Sequence, residues 1–480
     1  MMFPRRAIQI SLVLLATASI GARAETLSPM PALTRADRIA VIAPHPDDEA
    51  LATGGLIQQA VAVGAAVRVI YLTNGDHNQI AFKLYSGSIF MRPKDYQRFG
   101  EKRLNEAVAA TAALGLKYDQ LTFLGYPDWG LQQIWRDYWD DSAPFRSDAT
   151  RATAVPYKED YAYQHPYRPE SILADIKTIL ADFRPTKIFT AHPCDTNPDH
   201  RATCNFVRLA LLELESTGLK PEQFFYVIHF GDWPKPYHYH PEVMLTVPHR
   251  LLDNGNWRTL PLTPGQTETK HRAIQQNASQ LTTRQFYLVA FARANELFAT
   301  LPNERVINLP ANFVPDWKQA VRNHALTINP VPPSPKLRNN GAHHETTSIS
   351  LDQTEFLRQG DDLIVSIDFQ NRLGPRTNVH LFLFGYQRGA DFAKLPKIHI
   401  NINPLGNIHV FDDDRRRITD HHVTKTATIA DKLILRVPLA LLGGNKLDHI
   451  FTATRANLGE ISADDTAWQL YELEHGDTNG

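Results

Sequence analysis

The stretch Arg38-Ile39-Ala40-Val41-Ile42-Ala43-Pro44-His45-Pro46-Asp47-Asp48-Glu49 decides how this 480-residue chain is read. Its first six residues are apolar after Arg38 and do not alternate, as expected of a strand buried on both faces. A turn carrying one imidazole and two carboxylates, His45, Asp47 and Asp48, follows at once, which is metal-site chemistry. Reading outward, 56–66 is predicted helical and 67–73 a second strand. Residues 101–114 carry helical spacing and stop at Gly115, a C-terminal signal. Strands are predicted at 121–124, 187–191 and 224–230, and helices at 171–183 and 270–297. Strands alternating with helices predict a doubly wound, mostly parallel α/β sheet, whose ligands gather at the C-terminal ends of the strands.

A second cluster follows the strand at 187–191: His192-Pro193-Cys194-Asp195-Thr196-Asn197-Pro198-Asp199-His200. His45, Asp48 and His200 make a set of two imidazoles and one carboxylate that suits a catalytic divalent metal, zinc first. Asp47, held at another angle, stays free to act as a base. Each cluster alone reads as a solvated loop; two at the ends of parallel strands make the joint reading.

The turn His45-Pro-Asp-Asp-Glu49 together with Asn197-Pro-Asp-His200 resembles the PIG-L (LmbE-like) family of zinc-dependent N-acetylglucosaminyl deacetylases. The likeness takes in Thr73-Asn74-Gly75-Asp76, Arg103-x-x-Glu106, Gly125-Tyr126-Pro127-Asp128 and residues 227–233, and so spans about 38–300. It implies a Rossmann-like domain in which His45, Asp48 and His200 match the zinc ligands and Asp47 the general base. Arg103 and Asp128 match positions that contact the sugar in relatives. The family commonly has His-Pro-Asp-His where this chain has Asn197, so the oxyanion is held by the Asn197 amide or by another histidine, with His229 the candidate, or the site is inactive. The activity implied is removal of N-acetyl groups from an N-acetylated glycan. An amidase on a non-sugar acyl group and a non-catalytic glycan-binding protein stay as alternatives.

The rest of the chain sets the frame. With 43% hydrophobic and 21% charged residues the composition is globular, and a net charge of −1 without a basic stripe argues against nucleic acid as partner. Arg5 and Arg6, an apolar run at 7–20 and Ala22-Arg23-Ala24 read as a signal peptide over 1–24, hence an exported protein with no membrane anchor after cleavage. The deacetylase domain is expected over 25–325, a proline-rich linker over 326–347, and an all-β sandwich over 348–476. That last domain resembles carbohydrate-binding modules and reads as well as a lid or dimer surface. The aromatic-rich stretch 126–167 is either the wall of a glycan groove or packing. Cys194 and Cys204 are either bridged or two buried thiols. Tyr237-His238-Tyr239-His240 reads as a polar loop before a second metal site, and 412–417 as a charged hairpin turn.

Overall fold

The structure is a computed structural model describing residues 27–87, 90–140, 143–309, 351–369, 376–429, 432–459 and 461–474. The expected signal segment and the expected proline-rich linker lie outside the described residues. The first half runs β1 (Ser28–Pro29), β2 (Arg38–Ala43), α1 (Asp48–Val63), β3 (Ala66–Thr73), α2 (Gln79–Ser86), α3 (Pro93–Ala113), β4 (Leu121–Tyr126) and α4 (Leu131–Asp137). It continues with α5 (Pro169–Phe183), β5 (Lys187–Ala191), α6 (Pro198–Leu214), β6 (Glu222–Tyr226), β7 (Asn256–Pro261), α7 (Pro264–Gln275), α8 (Ala278–Leu288) and β8 (Asn295–Thr300).

The strands form one sheet in the order β1-β7-β8-β6-β5-β2-β3-β4. Strands β4, β3, β2, β5 and β6 are parallel; β8 runs antiparallel to β6, and β7 runs antiparallel to β8. Burial on both faces follows from the β2 sequence: Ala40 and Ile42 join one core with α5 and α6, while Ile39, Val41 and Ala43 join another with α1 and α3. The chain winds from β2 through β3 to β4 on one side and then returns to place β5 on the other. The gap between β2 and β5 is therefore the topological switch point, where ligands bind in such sheets.

Several boundaries differ from the sequence expectation: α3 begins at Pro93, eight residues before 101, and the strand expected over 224–230 is β6, which ends at Tyr226. Helix α1 begins at Asp48, eight residues before 56, because its first turns are buried all round and show no polar face to mark the period. The helix expected over 270–297 is two helices, and its end is strand β8. The Asn295-Glu-Leu-Phe-Ala-Thr300 run favours helix by propensity, but its first five residues are buried between β6 and β7, and such packing overrides propensity.

The second half holds β9 (Glu304–Leu309), β10 (Leu351–Gln359), β11 (Asp362–Phe369), β12 (Thr377–Tyr386), β13 (Lys397–Ile402) and β14 (Ile408–Phe411). Then come β15 (Arg417–Ile418), β16 (Thr424–Ile429), β17 (Lys432–Pro438), β18 (His449–Leu458), β19 (Ile461–Asp465) and β20 (Gln469–Leu473). They form one curled sheet ordered β15-β14-β13-β12-β18-β20-β9-β10-β11-β17-β16, with β19 on β18. Its two halves close over a common core of Leu363, Val365, Leu381, Leu383, Ile400 and Leu435, so the layers stack as the period-two pattern predicts. One edge is hydrogen-bonded continuously through β9, which pairs in parallel with both β10 and β20. Strand β9 lies ahead of the linker at which the sequence reading divides the chain.

The two halves share one core. Trp135 of α4 is fully buried, with ring centroids 5.1 Å from Phe206, 5.2 Å from Phe451 and 5.8 Å from Trp468. The aromatics Trp135, Trp139, Tyr157 and Tyr167 are thus packing, while Trp129 and Tyr161 remain exposed. Cys194 and Cys204 are free and buried.

Candidate metal centre

Both motifs are loops that leave neighbouring strands. After β2, the Pro44 carbonyl accepts hydrogen bonds from the Thr73 N–H and hydroxyl, both 3.0 Å, which ties the turn to the end of β3. The His45 N–H donates to Asp48 Oδ2 (2.9 Å) and closes the turn onto α1. After β5, Asn197 caps α6: its Oδ1 accepts the Asp199 N–H at 2.8 Å, and Pro198 occupies the first helical position. His200 stands on that first turn. Because β2 pairs with β5, residues 155 positions apart meet: His45 Nδ1 lies 3.2 Å from His200 Nε2. Asp48 Oδ2 is 3.3 Å from the former and 3.2 Å from the latter. All three side chains are buried, with ligand atoms within 4.8 Å of one another.

Each imidazole is gripped from its far nitrogen. His200 Nδ1 faces Asp195 Oδ2 at 3.2 Å, and that oxygen also accepts the N–H groups of Ile228 (2.9 Å) and His229 (3.0 Å). His45 Nε2 faces Asp128 Oδ1 at 3.3 Å and Asp199 Oδ2 at 3.5 Å. His45, Asp128 and Asp199 also lie close enough to be a ligand set. The Asp199 oxygens, however, already accept the N–H groups of Trp129 (2.6 Å) and Leu131 (3.0 Å), and Asp128 Oδ2 accepts that of His77 (2.9 Å). These carboxylates therefore orient His45, as such partners do for metal-bound histidines. Asp195 and Asp199 have roles the sequence reading did not assign, since a carboxylate near a ligand in the chain carries no mark of which it is.

The charges ask for a cation. Burial pulls the His200 imidazolium down, yet Asp195 and Asp48 outweigh it and raise its pKa to about 9. Burial likewise opposes His45, and hydrogen bonds to Asp128, Asp199 and Asp48 raise it well above the usual range. A buried pocket that holds protons on both imidazoles suits a divalent metal, and nitrogen and oxygen donors in this ratio fit one.

Asp47 stands beside the ligand set and outside it. Its φ of 132° lies where glycine is at ease and other residues are strained. Its N–H donates to Glu49 Oε2 at 3.1 Å, and its Oδ2 lies 3.3 Å from an Arg103 nitrogen. Arg103 also donates to the carbonyls of Gly75 (2.9 Å) and Pro46 (2.7 Å). Glycine is required at 75: φ is +63°, and a Cβ there would sit 1.8 Å from the guanidinium. Burial pushes the Asp47 carboxyl up to about 7, against the pull of Arg103.

The remaining expected residues sit around this core. The Asn197 oxygen is spent on its cap. The His229 ring lies edge-on to His200 with centroids 4.9 Å apart, and burial brings its pKa to about 4. Arg103 and Asp128 are buried and committed to protein partners. Among the described residues, Tyr237 to His240 form no metal cluster.

Residues 40–211 match the family described as PIG-L, GlcNAc-PI de-N-acetylase. Over 173 residues the chain is 33% identical to a 1D-myo-inositol 2-acetamido-2-deoxy-alpha-D-glucopyranoside deacetylase of Mycobacterium sp. (strain KMS), covering 35% of this chain and 47% of that protein. A protein of the same description from Corynebacterium glutamicum (strain R) is 25% identical over 169 residues, covering 34% and 49%. The chain thus spans about half the length of the curated relatives it matches. Among solved structures, an N,N'-diacetylchitobiose deacetylase from Pyrococcus horikoshii is similar with a TM-score of 0.34 and 20% identity, over 56% of this chain and 84% of that one.

Proposed function

We propose, from the PIG-L domain at residues 40–211, that this chain is a zinc-dependent hydrolase that removes N-acetyl groups from an N-acetylated glycan. One observation carries the reading: His45, Asp48 and His200 converge, with the carboxylate of Asp47 held beside them by Arg103. The three converging side chains would hold the metal, which when bound supplies Lewis acidity to an acetamide carbonyl and to water. Asp47 takes the proton of the attacking water, with Arg103 fixing its carboxylate. The neutral His229 imidazole offers an N–H to the developing oxyanion; Asn197, its oxygen committed to α6, holds His200 in place. The proton on Asp47 then passes to the departing nitrogen, releasing acetate and a free amine. Export completes the proposal: the substrate is an extracellular or envelope polysaccharide, and the mature chain begins after Ala24. N-terminal sequencing of the natural protein checks that point.

Acetate release from chito-oligosaccharides by the zinc-loaded protein tests the activity. Asp47→Asn is expected to keep stoichiometric metal and lose activity, whereas His45→Ala and His200→Ala lose the metal. An active His200→Ala protein without metal would sink the assignment.

A further inference from the structure

A cavity of about 570 Å³ opens between α4 and the outer face of β12, β13 and β14, within the size range of ligand pockets, roughly 300–1,000 Å³. Its wall is not an ordinary interdomain contact. Across three strands the rings of Phe382, His399 and Phe411 lie in a row, with centroids 4.6 Å and 5.7 Å apart. The Arg136 guanidinium caps the row 5.9 Å from the Phe382 ring.

Three of the cations facing this cavity are already engaged. Arg136 makes two hydrogen bonds to Asp137, at 2.8 Å and 2.5 Å. The Lys397 ammonium donates to the carbonyls of Phe392, Ala393 and Leu395. Arg455 faces Asp465 at 3.5 Å. Arg415 also lines the cavity beside Asp412 and Asp413, so charges of both signs face it and it is not built for an anion.

What it offers is hydrogen bonding. The Asn457 amide nitrogen donates to His380 Nε2 at 3.1 Å, which puts the His380 proton on Nδ1, 2.9 Å from His399 Nε2. His399 Nε2 is then the acceptor, and its proton sits on Nδ1 at the free end of the chain. A fixed donor beside aromatic rings, with Asn401 and Asp412 on the same wall, suits a neutral polyhydroxylated ligand. Helix α4 links this pocket to the metal centre: the Leu131 N–H at its start donates to Asp199, and Arg136 and Asp137 at its end line the cavity. Seven helical residues span about 10 Å, short enough for one oligosaccharide to reach both.

We infer that this cavity is a second carbohydrate subsite, which holds units of the glycan chain away from the acetamide being cleaved. The inference rests on the deacetylase reading for the identity of the ligand. The test compares turnover of N-acetylated chito-oligosaccharides of two to six units by the full chain and by His399→Ala and Phe411→Ala, each checked by thermal melting. In the natural protein kcat/KM is expected to rise about tenfold from dimer to hexamer, equivalent to about 1.4 kcal/mol. In both variants that rise disappears while the dimer is cleaved at the natural rate. An unchanged rise in both folded variants overturns the subsite and leaves the hydrolase standing. If no chito-oligosaccharide is cleaved, the hydrolase reading is what fails, and titration calorimetry with N-acetylated chitohexaose judges the pocket alone. Binding by the natural chain that both variants lose upholds it; binding that the variants keep, or that the natural chain lacks, overturns it.

Discussion

Two residues outside the candidate ligand set govern how the site is assembled. Asp195 fixes His200 through Nδ1 while accepting three backbone N–H groups, from Asn197, Ile228 and His229. Asp195→Asn is expected to weaken metal binding by about 10- to 100-fold, the usual effect of losing such a partner; competition with a chelating dye measures it. Gly75→Ala acts differently. The added methyl displaces Arg103 and with it the support of Asp47, so activity should fall on the order of a hundredfold, as misplaced catalytic groups do, while metal content stays unchanged. That His45, Asp48 and His200 converge beside Asp47 was legible in the sequence because each motif packs its donors into one turn at a predicted strand end. The partners Asp195 and Asp199 were not, since which carboxylate faces the metal depends on how α6 enters the pocket.

At the level of elements, helix starts are what the site is built on, and they were the features least visible in the sequence. Asp48 opens α1 and His200 sits in the first turn of α6, so a frayed helix end is a misplaced ligand. Asn197→Ala removes the cap of α6 and is expected to cost about 0.5–2 kcal/mol, read by denaturant unfolding, with Asn197→Ser restoring most of it. In the second half, the β12–β13 pair carries His380 and His399, which burial and the nearby Arg455 and Arg136 lower to about 4 and about 3. Both folded values lie below the unfolded value of about 6.5. The unfolded chain therefore binds more protons as pH falls, and stability from this pair drops from about pH 6.5 downward, levelling below about 3. His399→Gln should flatten the fall in Tm between pH 6.5 and 4; parallel curves for variant and natural protein would contradict it. Here the period-two pattern made the strands legible, but not that their outer face carries a polar wall.

For the whole molecule, the sheet topology was legible because its strands alternate with helices, and the union of its two halves was not. Trp135 belongs by sequence to an irregular aromatic stretch, yet it fills the joint between α6, β12 and β18. Trp135→Ala is expected to cost about 3–5 kcal/mol and to split one calorimetric transition into two, as the shared core parts. A single transition in the variant would mean that other contacts couple the halves. Strand β9 has a further consequence. It begins four residues after β8 ends, yet it is the piece that closes the curled sheet between β10 and β20. Anyone building a chimera by cutting inside 326–347 would leave that piece behind on the N-terminal half. The transplanted module would then expose two bare strand flanks, an invitation to recruit a stranger's backbone. Its natural excision point lies instead in the short Leu301-Pro302-Asn303 connection.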